Sequence, residues 1–164
     1  MKADDLLLVA AAVTSVGCGV MAGLFYAFSF TVIDALDRQP EVQATKTMQS
    51  INETIIRPAF FFLFFGTAAA CAAWIVAALV SWERFGNGFF VCGGAVYLLG
   101  SLAVTIGINV PMNNALAALS PESEAAKDYW LHYVTRWTKW NHVRFWSSLV
   151  AAALFVLGAT LSNG

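Results

Sequence analysis

Four stretches of the chain carry no lysine, arginine, aspartate or glutamate. They lie between Asp5 and Asp34, between Arg57 and Glu83, between Arg84 and Glu122, and from Phe145 to the end. A helix that crosses the hydrocarbon core needs about 20 mostly apolar residues. The pattern therefore predicts spans near 6–30, 59–82, 88–110 and 145–162. Lipid offers no partner for free backbone groups, so each span is expected to be a helix. The apolar runs are continuous, unlike the alternating strands of a membrane barrel.

The segments between spans have patterns of their own. After Pro40, Ala44, Met48, Ile51 and Ile55 recur at helical spacing, with Thr45, Gln49 and Asn52 on a neighbouring face. That predicts an amphipathic helix lying on or folding into the bundle, ended by Pro58. A second long loop is expected from Pro111. Ser120 then caps a new helix with Pro121 in its first position. From there to Leu161 the single interruption is Gly158, which predicts one long helix, half outside the membrane and half within it. The fold class is all-α: a four-transmembrane-helix bundle forming one domain, 1–164. An amphipathic helix joins spans one and two, and the fourth helix extends outside the membrane. Ser15, Gly19, Gly23 and Ala27 in span one, and Gly93, Gly100 and Gly107 in span three, form small-residue seams. Such seams let helices approach closely, within the bundle or in a homo-oligomer.

Composition agrees with the spans. Charged residues make up 12% of the 164 positions and apolar ones 59%, with a mean hydropathy of +0.68. A soluble fold this small could not hide that much apolar surface. The net charge of −1 suggests no nucleic-acid partner. The acidic start M-K-A-D-D is a poor signal peptide, so the first span is expected to remain in the mature protein. Cys18, Cys71 and Cys92 all fall inside spans and read as small apolar fillers. The loops after spans one and three hold Arg38, Lys46, Arg57, Lys127, Arg136, Lys139 and Arg144, against Lys2 and Arg84 on the other side. The positive-inside rule then puts both long loops in the cytoplasm and both termini outside, the bacterial cytoplasmic membrane being the expected location.

Several polar groups need a reason to be where they are. Ser101, Thr105 and Asn109 recur every four residues on span three, and Asn113 and Asn114 follow Pro111. Gln49 and Asn52 project from the amphipathic helix. Asn141, His142 and Arg144 sit at the mouth of span four, within W-T-K-W-N-H-V-R-F-W. Topology brings nearly all of them to one membrane face. An unpaired polar group in hydrocarbon costs several kcal/mol, so these must find partners, water or a ligand. Interhelical hydrogen bonding would satisfy the asparagines, and Arg144 could snorkel to head groups. Trp130, Trp137, Trp140 and Trp146 have the placing of interface anchors. The imidazole of His142 could take and return a proton.

A metal ion is an alternative reading. Glu124, Asp128 and His132 share a helix face, and His142 could join them in three dimensions, although no H-E-x-x-H is present. No Gly-rich phosphate loop or G-x-S-x-G occurs either.

The motifs G-L-F-Y-A-F-S-F-T-V-I-D-A-L (23–36), M-Q-S-I-N (48–52), R-P-A-F (57–60), N-V-P-M-N-N-A-L (109–116) and W-T-K-W-N-H-V-R (137–144) resemble those of the DUF1772, or anthrone oxygenase-like, family. The chain departs from that pattern at Ile33-Asp34, where a proline is expected before Ala-Leu, and at Arg57, where an asparagine is common. The resemblance implies a four-span membrane protein. Some members oxidise an anthrone methylene to the quinone carbonyl with molecular oxygen and no flavin or haem. On that reading no cofactor is expected, and the partners are a lipophilic small molecule, oxygen and the bilayer. His142 would remove the ring-CH proton. Asn141, Asn113 and Arg144 would stabilise the oxyanion. Asn109, Asn114, Gln49 and Asn52 would line the site, with Trp137 and Trp140 stacking on the ring. Two other readings stay open: a metal-dependent membrane oxidoreductase, and a non-catalytic module that binds a lipid, a quinone or a partner helix.

Overall fold

The computed structural model describes residues 3–81 and 86–162, and every regular element there is helical. Lys2 and Arg84, which entered the charge argument, lie outside the described residues. Helix α1 (Ala3–Ala27) runs through a π-helical turn (Phe28–Val32) into α2 (Ile33–Asp37). The amphipathic α3 (Glu41–Thr54) follows, then α4 (Pro58–Val80). Next, α5 (Asn87–Tyr97) continues through two π turns (Leu98–Ala103 and Thr105–Asn109) into α6 (Val110–Ala117). Last comes α7 (Glu124–Leu161). Four of these continuous helices are long and apolar enough to cross a membrane: Asp5–Asp37, Pro58–Val80, Asn87–Ala117 and Glu124–Leu161. The protein is an all-α, four-span integral membrane bundle.

Local chemistry explains most of the ends. Arg57 is extended (φ −124°, ψ 153°), as a residue before proline prefers, and Pro58 opens α4. Pro40 (φ −53°, ψ 136°) stands just outside α3 and turns the chain into it. Ala44, Thr45 and Met48 then bury one face of that helix.

Two expected boundaries move. The third span does not end at Pro111. The π turn at Thr105–Asn109 precedes it, so the proline's missing N–H falls where the regular i→i−4 ladder is already interrupted. Pro111 then sits in the first turn of α6, a position it tolerates. The cap of the last helix is Ser123, not Ser120: the Ser123 hydroxyl accepts from the Ala126 N–H at 3.2 Å, and Ser120 instead donates to Glu122. At about 1.5 Å per residue, the 38 residues of α7 extend about 57 Å. That is nearly twice the ~30 Å hydrocarbon core.

Helix α7 packs along α1 and α5, and α4 packs against α5 and α1. The interior divides into two cores. One is built from Cys18, Met21, Phe64, Cys71, Phe90 and Phe155, deep between the spans. Backbones come close there: a Cβ on Gly158 would meet the Phe90 ring at 2.7 Å. The second core lies at the α3 end of the bundle and holds Ile33, Met48, Leu116, Trp130, Tyr133 and Trp137. Trp130, Tyr133 and Trp137 stack in turn, with centroids 5.9 Å apart at each step. Trp130 and Trp137 are therefore core residues rather than interface anchors, whereas Trp146 is 55% exposed. The small-residue seams split likewise. Gly93 and Gly100 press on α7, while Gly19, Gly23 and Gly107 would have open space beside a Cβ. Val13, Val16, Phe62, Val76 and Leu99 make the outer surface of the spans apolar, as a lipid-facing belt requires.

Candidate functional site: a cationic chamber under an amphipathic helix

A cavity of about 350 Å³ lies at the α3 end of the bundle. Its roof is α3, its sides come from α1, α4 and the π turn leading into α6, and its floor comes from α7. Gln49 fastens the roof by donating from Nε2 to the carbonyls of Leu116 (2.9 Å) and Leu119 (3.0 Å). Leu116 lies in the last turn of α6 and Leu119 just past its end, where helical partners run out. On the outer rim Lys46 pairs with Glu122 at 2.5 Å, and that cation holds the Glu122 carboxyl below its ordinary range. Both are well exposed, so the pair contributes little.

Helix α7 supplies the floor because Trp137, Asn141, Arg144 and Ser148 follow one another at steps of four, three and four, which keeps them on one buried face. Asn141 is fully buried. Its Nδ2 donates to the Phe25 carbonyl and to the Ser29 hydroxyl, both at 2.7 Å. The π turn Phe28–Val32 carries that hydroxyl. The Asn141 Oδ1 accepts from Arg144 Nη2. Both donors of the amide are thus in use, so Asn141 orients Arg144 and has none left for a ligand.

Arg144 is only 7% exposed. Its Nη1 donates to Thr105 Oγ1 at 3.3 Å. The rings of Phe25 and Trp137 lie 4.5 and 5.1 Å from its guanidinium carbon, a cation–π setting. Its Nε is buried with no partner. Among the described residues no carboxylate forms an ion pair with it. A buried charge without a counter-charge is the feature that most needs an explanation here.

The asparagines are oriented by their neighbours. Asn113 Oδ1 accepts from the Tyr133 hydroxyl and from Trp137 Nε1, both at 2.8 Å. Its carbonyl is saturated, which leaves the NH₂ as a free donor. Asn109 Nδ2 donates to the Trp137 carbonyl at 3.2 Å, and its buried Oδ1 has no partner. Asn52 Nδ2 is also buried, close to the Tyr133 hydroxyl without a well-formed hydrogen bond. Asn114 lines the chamber from an exposed position. Glu53, also exposed, is the one acidic residue in the lining. Ile56, Phe61 and Phe65 form an apolar wall that is exposed on its outer side.

His142 does not line this chamber. One residue on from Asn141 turns a side chain by about 100°, and two residues back from Arg144 by about 200°. The imidazole Nδ1 lies 2.7 Å from the Thr138 carbonyl, and the ring stands edge-on to Phe30 at 4.8 Å. A carbonyl only accepts, so Nδ1 carries the proton and Nε2 is the other nitrogen. Trp140 is half-buried and also outside the lining. His132 stands exposed beside Tyr129, Asp128 is exposed, and Glu124 pairs with Lys127. Among the described residues no group of three His, Cys, Asp or Glu side chains is placed to hold a metal ion.

The chamber therefore brings together Gln49, Asn52, Asn109, Asn113, Asn114, Trp137, Asn141 and Arg144, and leaves out His142, His132 and Trp140. Ser29 and Tyr133, which the motif reading passed over, complete the network.

Fold and site define a multi-pass membrane protein with a lipophilic chamber floored by a buried cation. The family model Anthrone oxygenase matches residues 60–154, more than half of the chain, and the chain belongs to that family. At family level it is a membrane oxygenase-like protein. The matched region carries Asn109, Asn113, Trp137, Asn141 and Arg144, while Asn52 and Ser29 lie before it. No curated protein and no solved structure matches the chain.

Proposed function

We propose that the chamber oxidises a flat, lipophilic anthrone- or phenol-type compound with molecular oxygen, the substrate's own carbanion supplying the electrons and no cofactor taking part. The observation that carries this reading is the buried Arg144 guanidinium, with no carboxylate paired to it among the described residues, at the floor of a largely apolar cavity. Such a group favours the ionised form of a weakly acidic ligand, and its burial makes the effect larger than in water. Arg144 and the free NH₂ of Asn113 are the oxyanion donors. Asn141 is a positioning residue, holding Arg144 from Ser29 and Phe25. The base role passes from His142 to Glu53, the lining carboxylate, which receives the methylene proton and returns it to water.

The chemistry balances without another reagent. Loss of one methylene proton gives an enolate whose oxygen faces Arg144. Its carbon takes up oxygen to form a peroxide anion, which is protonated to the hydroperoxide. The second C–H proton then leaves, the O–O bond breaks, and a carbonyl and one water result. The apolar wall of Ile56, Phe61 and Phe65 fits a substrate arriving from the bilayer.

The test is oxidation of emodin anthrone by purified protein in detergent, followed as quinone formation and oxygen uptake. Turnover above the uncatalysed rate that resists chelators and is lost in Arg144→Met supports the reading. Turnover equal in wild type and Arg144→Met sinks it.

A further inference from the structure

We infer that the same chamber is a binding site for a lipophilic monocarboxylate, whose head group pairs with Arg144 and whose apolar body fills the cavity toward Phe60, Phe61 and Phe65. The inference uses the charge balance that supports the proposed reaction but requires no turnover. Arg144 is more than nine-tenths buried and its hydrogen bonds go to two neutral oxygens, Asn141 Oδ1 and Thr105 Oγ1. Its Nε–H points to no protein acceptor, and each terminal nitrogen makes a single bond. What this guanidinium lacks is one negative charge spread over a pair of oxygens, the shape a carboxylate presents to it.

The surroundings narrow the class. Asn113 offers a free NH₂, and Asn114 lines the same chamber. A carboxylate has lone pairs beyond those that Arg144 would use, so these amides can complete its shell. Most of the remaining lining is apolar, from Leu24 and Phe28 to Ile106 and Val110; its one acidic residue, Glu53, is exposed and forms no ion pair with Arg144. A cavity of about 350 Å³ holds one short chain or a small fused-ring body, near the lower end of ligand-pocket sizes. A two-chain phospholipid does not fit within it. The exposed apolar wall points to the bilayer as the source, which suits free fatty acids and flat aromatic acids alike.

The experiment uses the intact protein in micelles with decanoate labelled with ¹³C at its carboxyl group. The expected result is a saturable site of one decanoate per chain, with its carboxyl resonance titrating at lower pH than in protein-free micelles. Decanol, the neutral counterpart, should compete at least about tenfold more weakly, since it lacks the charge-assisted pair. Displacement by 2-naphthoate would extend the class to flat aromatic acids. Retention of decanoate against 2-naphthoate would confine it to fatty acids. A carboxyl resonance that titrates as in empty micelles, or decanol competing as well as decanoate, overturns the inference. Arg144→Gln should lose the site with its unfolding transition intact. If that variant fails to fold, the wild-type titration and the decanol comparison still decide. Anthrone turnover without decanoate binding would sink this inference alone. Decanoate binding without anthrone turnover would sink the proposed reaction and leave this one standing.

Discussion

The two ends of the bundle are built on opposite rules. Between the spans, Phe90, Phe155 and Met21 fill space with no polar atom to satisfy, and Gly158 is needed because Phe90 lies against it. At the α3 end the chain gathers a guanidinium, a run of amides and a stack of aromatic rings, and leaves Arg144 Nε and Asn109 Oδ1 unpaired. Each unpaired buried group costs about 1–3 kcal/mol, so the second region is held at a cost that the first must offset. Packing in the dry region supplies stability, and the polar region spends part of it on an arrangement suited to a ligand.

Substitutions can separate the two roles. Phe155→Ala, in the dry core, should lower unfolding stability in detergent by about 3–5 kcal/mol and leave turnover per folded molecule unchanged. A loss of turnover there would erase the division. Arg144→Met should do the reverse. It relieves a buried unpaired charge, which offsets the donor lost to Asn141 Oδ1, so the thermal transition should hold or fall only slightly. Its rate of anthrone oxidation should fall by about 10²–10³-fold, as for loss of one oxyanion donor. Asn141→Leu should show both effects at reduced size. It strands the Phe25 carbonyl and the Ser29 hydroxyl, at about 1–3 kcal/mol, and loosens Arg144. Raised KM with a smaller change in kcat would mark it as a positioning residue. His142→Ala should change turnover by less than about twofold, as for a residue outside the site. A large loss in that variant would return the imidazole to the mechanism.

Much of the architecture was legible in the chain. Charge-free runs located all four spans, and the Ala44–Met48–Ile51 spacing located α3. Pro111 misled because helix rules assume a regular ladder, and they do not foresee the π turn before it, which packs against α7. Trp130 and Trp137 misled because composition cannot tell an interface belt from a buried stack. The displacement of His142 was within reach of the sequence, since the Trp137–Asn141–Arg144–Ser148 periodicity already leaves position 142 off the buried face. The roles of the asparagines were not. Whether an amide offers its oxygen or its nitrogen depends on partners from other helices, such as Tyr133 and Trp137 for Asn113. Residue type alone carries no trace of that.

The π turn at Thr105–Asn109 has a consequence for how such a site can be gained or lost. A bulge of this kind amounts to one surplus residue wound into an otherwise ordinary helix. Deleting one position between Val104 and Val110 would let the turn close into regular α-helix, with the membrane crossing intact and the segments on either side facing as before. The residues of the turn itself, Thr105, Ile106 and Asn109, would be the ones displaced from the chamber wall. A homologue shorter by that single codon would keep the scaffold and present a different lining.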